Sequence, residues 1–531
     1  MAEKALFVRK ASGLVRSIGG FDAMIFGVHC ISLSSSGLIS FAWLVFLWPG
    51  ADIFSLLTIA MIFCLFHAVT YSQIGATMPR AGADYVFASR TLNPTLAFAS
   101  SWTLTIFSGV VAGSLIAWIP STVLSSFYWS WGMIFNAPNL VAFSQTLTSG
   151  TPVLVIGTVF VLITFATMIL PTRPILRILE IGFFLGVVAW IIIFASLLSA
   201  SGPAAFQSAW DAFMGHGAYN SVIPAATAHG FNYAPMGVGV LTVAGLIMGF
   251  WIYYGYYIPT FFAGELKEAP KTLLVGSWGS LIVTWAIFGA GALIISRLTT
   301  LQWMSAEAYL FYGAPGVQPA LPFITFYSAV LLPNALLIAI VMIAFVYTLV
   351  NLAQTYFFYC SRNIFAWAFD RVLPGKVADV SSRLHSPVIA MALISFLAWI
   401  GVLLSQTTTI FVQINFTLFA IITMLVPVTA AIVYPFTKKE QWKNGPSLVR
   451  KTLAGIPLMT LVGIITMGYL LWMIYASWAY PAVGGFITAG TIEVFGGVFV
   501  LGLIIFQAAR YYRLKKEGLD ISLTFKEIPP V

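Results

Sequence analysis

Between residues 19 and 510 the chain is an almost unbroken series of apolar stretches about twenty residues long, separated by short segments that hold nearly all of its charge. A hydrocarbon layer about 30 Å thick needs about 20 apolar residues in helical form, and a backbone inside it must satisfy its own hydrogen bonds. That pattern predicts an all-α integral membrane protein. Composition agrees, since 60% of the 531 residues are hydrophobic and 8% are charged, whereas a soluble domain carries roughly 25% charge.

A twenty-residue reading window places twelve spans, at 19–47, 53–76, 95–119, 153–170, 177–200, 238–263, 273–296, 322–359, 386–404, 409–434, 455–477 and 487–510. The eighth is long enough to project beyond the bilayer. Basic residues set the orientation, because Lys and Arg collect on the cytoplasmic side. An even number of spans with the N-terminus inside puts 24 of the 25 Lys and Arg on that face and leaves Arg297 alone outside. The expected arrangement is a multi-pass protein of the cell membrane with both termini cytoplasmic. The net charge of +9 is then a topological signal that also attracts anionic lipid heads. It is not a nucleic-acid footprint, because no basic segment belongs to a soluble domain.

Residues 1–17 read as a cytoplasmic tail, since Lys4, Arg9, Lys10 and Arg16 are followed by no short apolar core with a cleavage site. Residues 511–531 read as a second tail. Cys30, Cys64 and Cys360 are scattered among the spans and read as small buried hydrophobes. The outer segments 120–151 and 201–237 predict short amphipathic helices, with Trp129, Trp131 and Trp210 as interfacial anchors.

Two spans carry signals for a broken helix. The first contains Gly27-Val-His29-Cys30-Ile-Ser32-Leu33-Ser34-Ser35-Ser36-Gly37, and the sixth contains Trp251-Ile-Tyr253-Tyr254-Gly255-Tyr256-Tyr257-Ile-Pro259. Serine hydroxyls compete with backbone hydrogen bonds, and Pro259 removes a donor. A break at membrane depth must be buried or line a cavity. Corresponding breaks at the start of two five-span units are the signature of an inverted-repeat transporter with its substrate between discontinuous helices. Close helix packing through small residues is the competing explanation for each stretch alone. The candidate substrate residues are His29, Ser32, Ser34, Ser35, Ser36, Gly37, Trp251, Tyr253, Tyr254, Gly255 and Tyr257. Gly255 would let backbone and substrate approach closely, so Gly255→Val is expected to abolish binding and leave stability nearly intact.

Three further segments resemble the amino acid–polyamine–organocation transporter superfamily. Met78-Pro79-Arg80-Ala81-Gly82-Ala83-Asp84-Tyr85 is similar to its PRAGGxY segment, with Ala83 in place of the second glycine. Gly255 followed by Glu265-Leu-Lys267-Glu268-Ala-Pro270-Lys271 resembles its aromatic-x-x-Gly core and E-x-K-x-P-K exit. Ser361-Arg362 ahead of Asp370, Leu373-Pro374 and Pro387 resembles its sR…RDgllP…P signature, with Arg371 where the family has glycine.

The resemblance covers most of residues 14–434 and implies a ten-helix 5+5 inverted repeat, similar to the leucine transporter's fold, in 18–434, with two peripheral helices in 435–510. It also implies secondary active transport by alternating access, with amino acids as substrates. His29, Leu33 and Ser35 fall near three glycines whose amides hold the substrate carboxylate in the family, and Trp251 falls near its aromatic gate. The span-five lysine of proton-linked relatives has no counterpart, because no lysine lies between Arg90 and Glu265.

Neutral solutes are favoured over polyamines or arginine, because acidic partners are scarce in the spans and a buried charge needs compensation. Glu180 is read as the one carboxylate well inside a span, where it is functional unless it pairs locally with Arg177. No cofactor or metal is expected beyond a coupling ion, H+ or Na+. Protons would use Glu180 or His29, and sodium would use oxygens of Thr348, Asn351 and Thr355. Arg80, Glu265, Lys267, Arg362 and Asp370 are the expected cytoplasmic gate, whose ion pairs would bias two conformations. The expected partners are a small-molecule substrate and membrane lipids; the sequence specifies no oligomeric state. No HExxH, P-loop, CxxC or dinucleotide fingerprint supports an enzyme. The alternatives are a solute sensor of the same fold and a permease for amines, polyamines or nucleobases.

Overall fold

The computed structural model describes residues 16–526 apart from 315, 317–320, 382–383, 385, 407–408 and 481–486. Lys4, Arg9, Lys10 and Arg383, most of the expected 1–17 tail and residues 527–531 of the second lie outside the described residues. The described chain is helical, with one hairpin pairing Thr452–Leu453 to Ile456–Pro457. Among the described residues nine helices are long and apolar enough to cross a membrane, or ten if the bent pair Gly20–Ile31 and Ser35–Leu47 is one span. The sixth expected span is divided into Val238–Ala244 and Leu246–Tyr253, and the ninth, Val388–Leu404, has 17 residues.

Local chemistry explains where the helices begin and where the sequence reading erred. Asn93 and Asn334 each accept hydrogen bonds from two free amides, capping Pro94–Trp118 and Ala335–Phe369. The eighth span is therefore not one helix over 322–359. It comprises Ile324–Leu331 and Ala335–Phe369, because Pro333 stops the first and Asn334 starts the second. The third span does not stop at 119. Pro120 is absorbed by a wider turn, Ile119–Leu124, and the helix continues through Ser125–Ile134.

The expected outer helices are present as Pro138–Thr146, Pro203–Met214 and Ala218–Ala228. Trp129 and Trp210 are buried rather than interfacial, since Trp210 meets Trp303 at 4.8 Å and Trp129 meets Phe326 at 5.0 Å between ring centres. Trp131 is half-buried, its indole donating to the Ala335 carbonyl at 3.2 Å. All three cysteines are buried.

The helices pack through small residues. A Cβ on Gly113 would lie 1.7 Å from the Ala398 carbonyl oxygen, and one on Gly401 would lie 1.8 Å from that of Val110. This backbone-to-backbone contact locks Val388–Leu404 onto the third-span helix. Thr151–Met168 and Thr172–Ser199 turn Val155, Leu162, Phe184 and Ile191 outward, as a lipid-facing surface requires.

The family motifs have conformational causes. Gly82 has φ +90 and a Cβ there would strike Ala366, whereas Ala83 is ordinary helix, which accounts for its tolerance of alanine. Arg371 has φ +64, a backbone region that favours glycine. Arg371→Gly is therefore expected to raise stability by about 1 kcal/mol, measured by thermal unfolding in detergent. The loss of its exposed 3.9 Å contact with Glu517 offsets little of that. A lowered midpoint would show that the strain assignment is wrong.

Candidate functional site

The first break lies where the serines predict it. Helix Gly20–Ile31 ends at Ser32, whose φ is +68, and a second helix begins at Ser35, with the axis bent by 46°. The Ser32 hydroxyl accepts the Ser35 amide at 3.1 Å and meets the Ser34 hydroxyl at 3.2 Å. The Ser36 hydroxyl donates to the Ile31 carbonyl. The serines thus pair backbone groups that the break frees. His29 is buried, with Nε2 donating to the Leu179 carbonyl at 2.6 Å. Gly37 lies beneath Trp190, whose indole donates to the Leu33 carbonyl at 2.9 Å.

The second break follows Leu246–Tyr253. Gly255 has φ +127, and the chain resumes as a tight turn, Ile258–Phe261, containing Pro259. A Cβ on Gly255 would lie 2.4 Å from the Cys30 Cβ and 2.8 Å from the Cys30 carbonyl carbon. The two breaks are therefore in direct contact. The space beside Gly255 is filled by the first span, which corrects the expectation that Gly255→Val would spare stability.

Aromatic rings frame both breaks. Trp251 lies with Trp43 and Trp118 at 6.0 and 6.2 Å between ring centres, and Trp43 also meets Tyr312 at 6.5 Å. On the other side Tyr254 contacts Tyr257 at 5.4 Å and Phe416 at 5.3 Å. Tyr253, Tyr254 and Tyr257 are buried with hydroxyls that have no hydrogen-bond partner. Such groups are costly in a dry interior unless a ligand or water reaches them.

The residues proposed for ion coupling are only partly brought together. Thr348 and Thr355 are buried and donate to carbonyls of their own helix, those of Ala344 at 3.0 Å and Leu352 at 2.7 Å. Asn351 donates to Gln354 at 2.8 Å, and its oxygen is unpartnered and crowded against Gly182. Glu180 is half-buried rather than deep in the core, and it forms no ion pair with Arg177 among the described residues.

Two carboxylates outside the expected spans, Asp84 and Glu307, are more deeply buried. Glu307 accepts from the Tyr327 hydroxyl at 3.2 Å, and burial raises its pKa to about 8 despite that bond. Both lie on short helices between the expected spans, Ala83–Thr91 and Leu301–Tyr312, and their burial is a tertiary property that neighbouring residues do not mark.

The expected gate residues are sorted differently from the reading. Glu265 and Arg362 form a two-point ion pair, at 2.8 and 3.0 Å, with the guanidinium 3.7 Å above the Phe358 ring. Asp370 pairs instead with Arg90, at 2.7 Å, a residue the sequence reading left out. Both pairs are buried rather than exposed. Arg90 is further covered by Phe525, at 5.0 Å from the ring centre, from the turn Ile521–Lys526. Lys267 is exposed and contributes its amide, at 2.9 Å from the Ile18 carbonyl. The Arg80 side chain donates to the Pro79 carbonyl at 2.9 Å. These groups define a charged end of the bundle, opposite in character to the aromatic surroundings of Trp251.

Comparison with known proteins gives two findings. The family model described as amino acid permease matches residues 21–504. A similar relative is the branched-chain amino acid permease BcaP of Bacillus subtilis (strain 168), 30% identical over 91 residues. That match spans 17% of this chain and 19% of the relative's own length.

Proposed function

Because this chain belongs to the amino acid permease family, and so is a multi-pass membrane transporter rather than an enzyme, we propose that it moves neutral amino acids by alternating access. The observation that carries this reading is the contact between the two helix breaks at Cys30 and Gly255, with unpartnered tyrosine hydroxyls beside them. In transporters built on discontinuous helices the breaks hold the substrate's charged groups, and neighbouring rings can cover its side chain. Apart from His29, the stretches 27–37 and 251–259 contain no ionisable acid or base besides cysteine and tyrosine, which favours an uncharged side chain. The relative's name extends the proposal to branched-chain substrates.

In this reading twelve spans form a 5+5 inverted repeat with two peripheral helices, and the charged end faces the cytoplasm. The closed pairs there and the ring cluster around Trp251 would make the described conformation closed at both ends. The deciding experiment is reconstitution into liposomes with labelled leucine, valine, other amino acids, amines and nucleobases, with and without proton or sodium gradients. Accumulation or counterflow of a neutral amino acid supports the proposal. Movement of an amine or nucleobase alone would replace the substrate class. Silence across the panel in folded protein would sink transport of this class.

Trp251 packs in a ring cluster that must loosen for one end to open. Trp251→Leu is expected to slow transport by about tenfold while equilibrium binding changes much less. Binding by calorimetry and flux in liposomes separate these effects. Equal losses in both would make Trp251 a binding residue and not a gate.

A further inference from the structure

The helix Ala83–Thr91 begins at Gly82 and carries Asp84 in its first turn, 2% exposed. Glu265 and Asp370, also buried, are each held by an arginine. Asp84 is not: its Oδ1 has no hydrogen-bond partner, and its one side-chain neighbour of consequence is the Tyr71 hydroxyl, which favours the carboxylate. From Tyr71 a column of polar rings leads to the sixth-span break. Its ring lies 5.2 Å from Tyr257 and 4.4 Å from His67, Tyr257 lies 5.4 Å from Tyr254, and Tyr254 adjoins Gly255. His67 bonds the Tyr256 hydroxyl through Nδ1.

We propose that Asp84 is a proton-binding site that couples proton movement to substrate transport, loading when the charged end is closed and releasing when water enters there. This rests on the transport reading above. A buried carboxylate without a cation is costly and its neutral acid is not. Burial raises the Asp84 pKa to about 7, against the opposing effects of Tyr71 and of its own amide. Hydration on opening would return it towards the usual carboxylate range and release the proton. The ring contacts Tyr71–Tyr257–Tyr254 join the surroundings of this carboxylate to the sixth-span break.

The elements packed on the Asp84 helix contain few other ionisable groups. Its own helix has Tyr85 and Arg90, the latter bound to Asp370. Ile53–Thr77 has Cys64, His67 and Tyr71, and Ala335–Phe369 has several tyrosines, Cys360 and Arg362, the last bound to Glu265. Thr409–Thr437 has Tyr434, and Ile521–Lys526 has Lys526. Pro94–Trp118 and Ile258–Phe261 have none. Of these only Tyr71 acts directly on the Asp84 carboxyl.

The test uses the full chain in liposomes with a pH-sensitive dye inside. In the wild type, adding substrate outside should carry protons inward with it. Asp84→Asn should lose that proton signal and pH-driven accumulation while still exchanging substrate in counterflow at equal pH. Asp84→Glu should restore the signal with a displaced pH midpoint. Tyr71→Phe, which removes a group favouring the carboxylate, should move the midpoint upward. Proton movement that survives Asp84→Asn, or a Tyr71→Phe midpoint that stays put, would overturn the proposal. So would accumulation in the wild type that follows sodium alone. Absence of counterflow in the wild type itself would instead remove the transport reading on which the site rests.

Discussion

Arg362→Ala is expected to destabilise the protein by about 3–5 kcal/mol, because it strands the Glu265 carboxylate in a buried site. Glu265→Gln should act in the same direction but more weakly, since the guanidinium keeps the face of Phe358 and the Ser361 hydroxyl at 3.2 Å. Replacing both by methionine should recover much of the loss, because an apolar pair of similar volume needs no compensation. That double variant should nevertheless transport slowly, since the charged end would lose groups that water stabilises on opening. Thermal unfolding in detergent and counterflow in liposomes measure the two effects. A single-variant loss below about 1 kcal/mol, the range of exposed pairs, would show that the pair is hydrated and does not hold this end shut.

Gly255→Val should abolish transport and lower stability together. The overlap with Cys30 costs about 1–3 kcal/mol as overpacking, and a branched residue at φ +127 adds a strain of about 1–3 kcal/mol. Gly255→Ala should show the same losses in reduced form. Unfolding midpoint and ligand binding on the same preparation provide the check. A stable Gly255→Val protein that still exchanges substrate would mean that the two breaks are not held in contact.

The sequence shows where the helices break because the causes are local. Serines at 32, 34, 35 and 36, glycine at 255 and proline at 259 each act within one turn of their own position. The membrane pattern is legible for a similar reason, since span length is a property of consecutive residues. The split at 332–334 was also present in the sequence, as Pro333 and Asn334, but the surrounding hydrophobicity masked a stop followed by a cap. Depth and pairing were not legible. Asp370 lies 280 residues from Arg90, and whether it meets Arg90 or Arg80 depends on how two distant helices cross. Glu180 looked central because its flanks are apolar, yet it is half-buried, whereas Asp84 and Glu307 look like loop acids and are enclosed.

The cover on Arg90 bears on the order in which the molecule can be completed. Arg90 is synthesised before its carboxylate Asp370, and Asp370 before Phe525. Domains form progressively from the N-terminal side during synthesis, but a guanidinium cannot enter a dry site before its counter-charge exists. The helix Ala83–Thr91 is therefore expected to bury Arg90 only after Asp370 has been made.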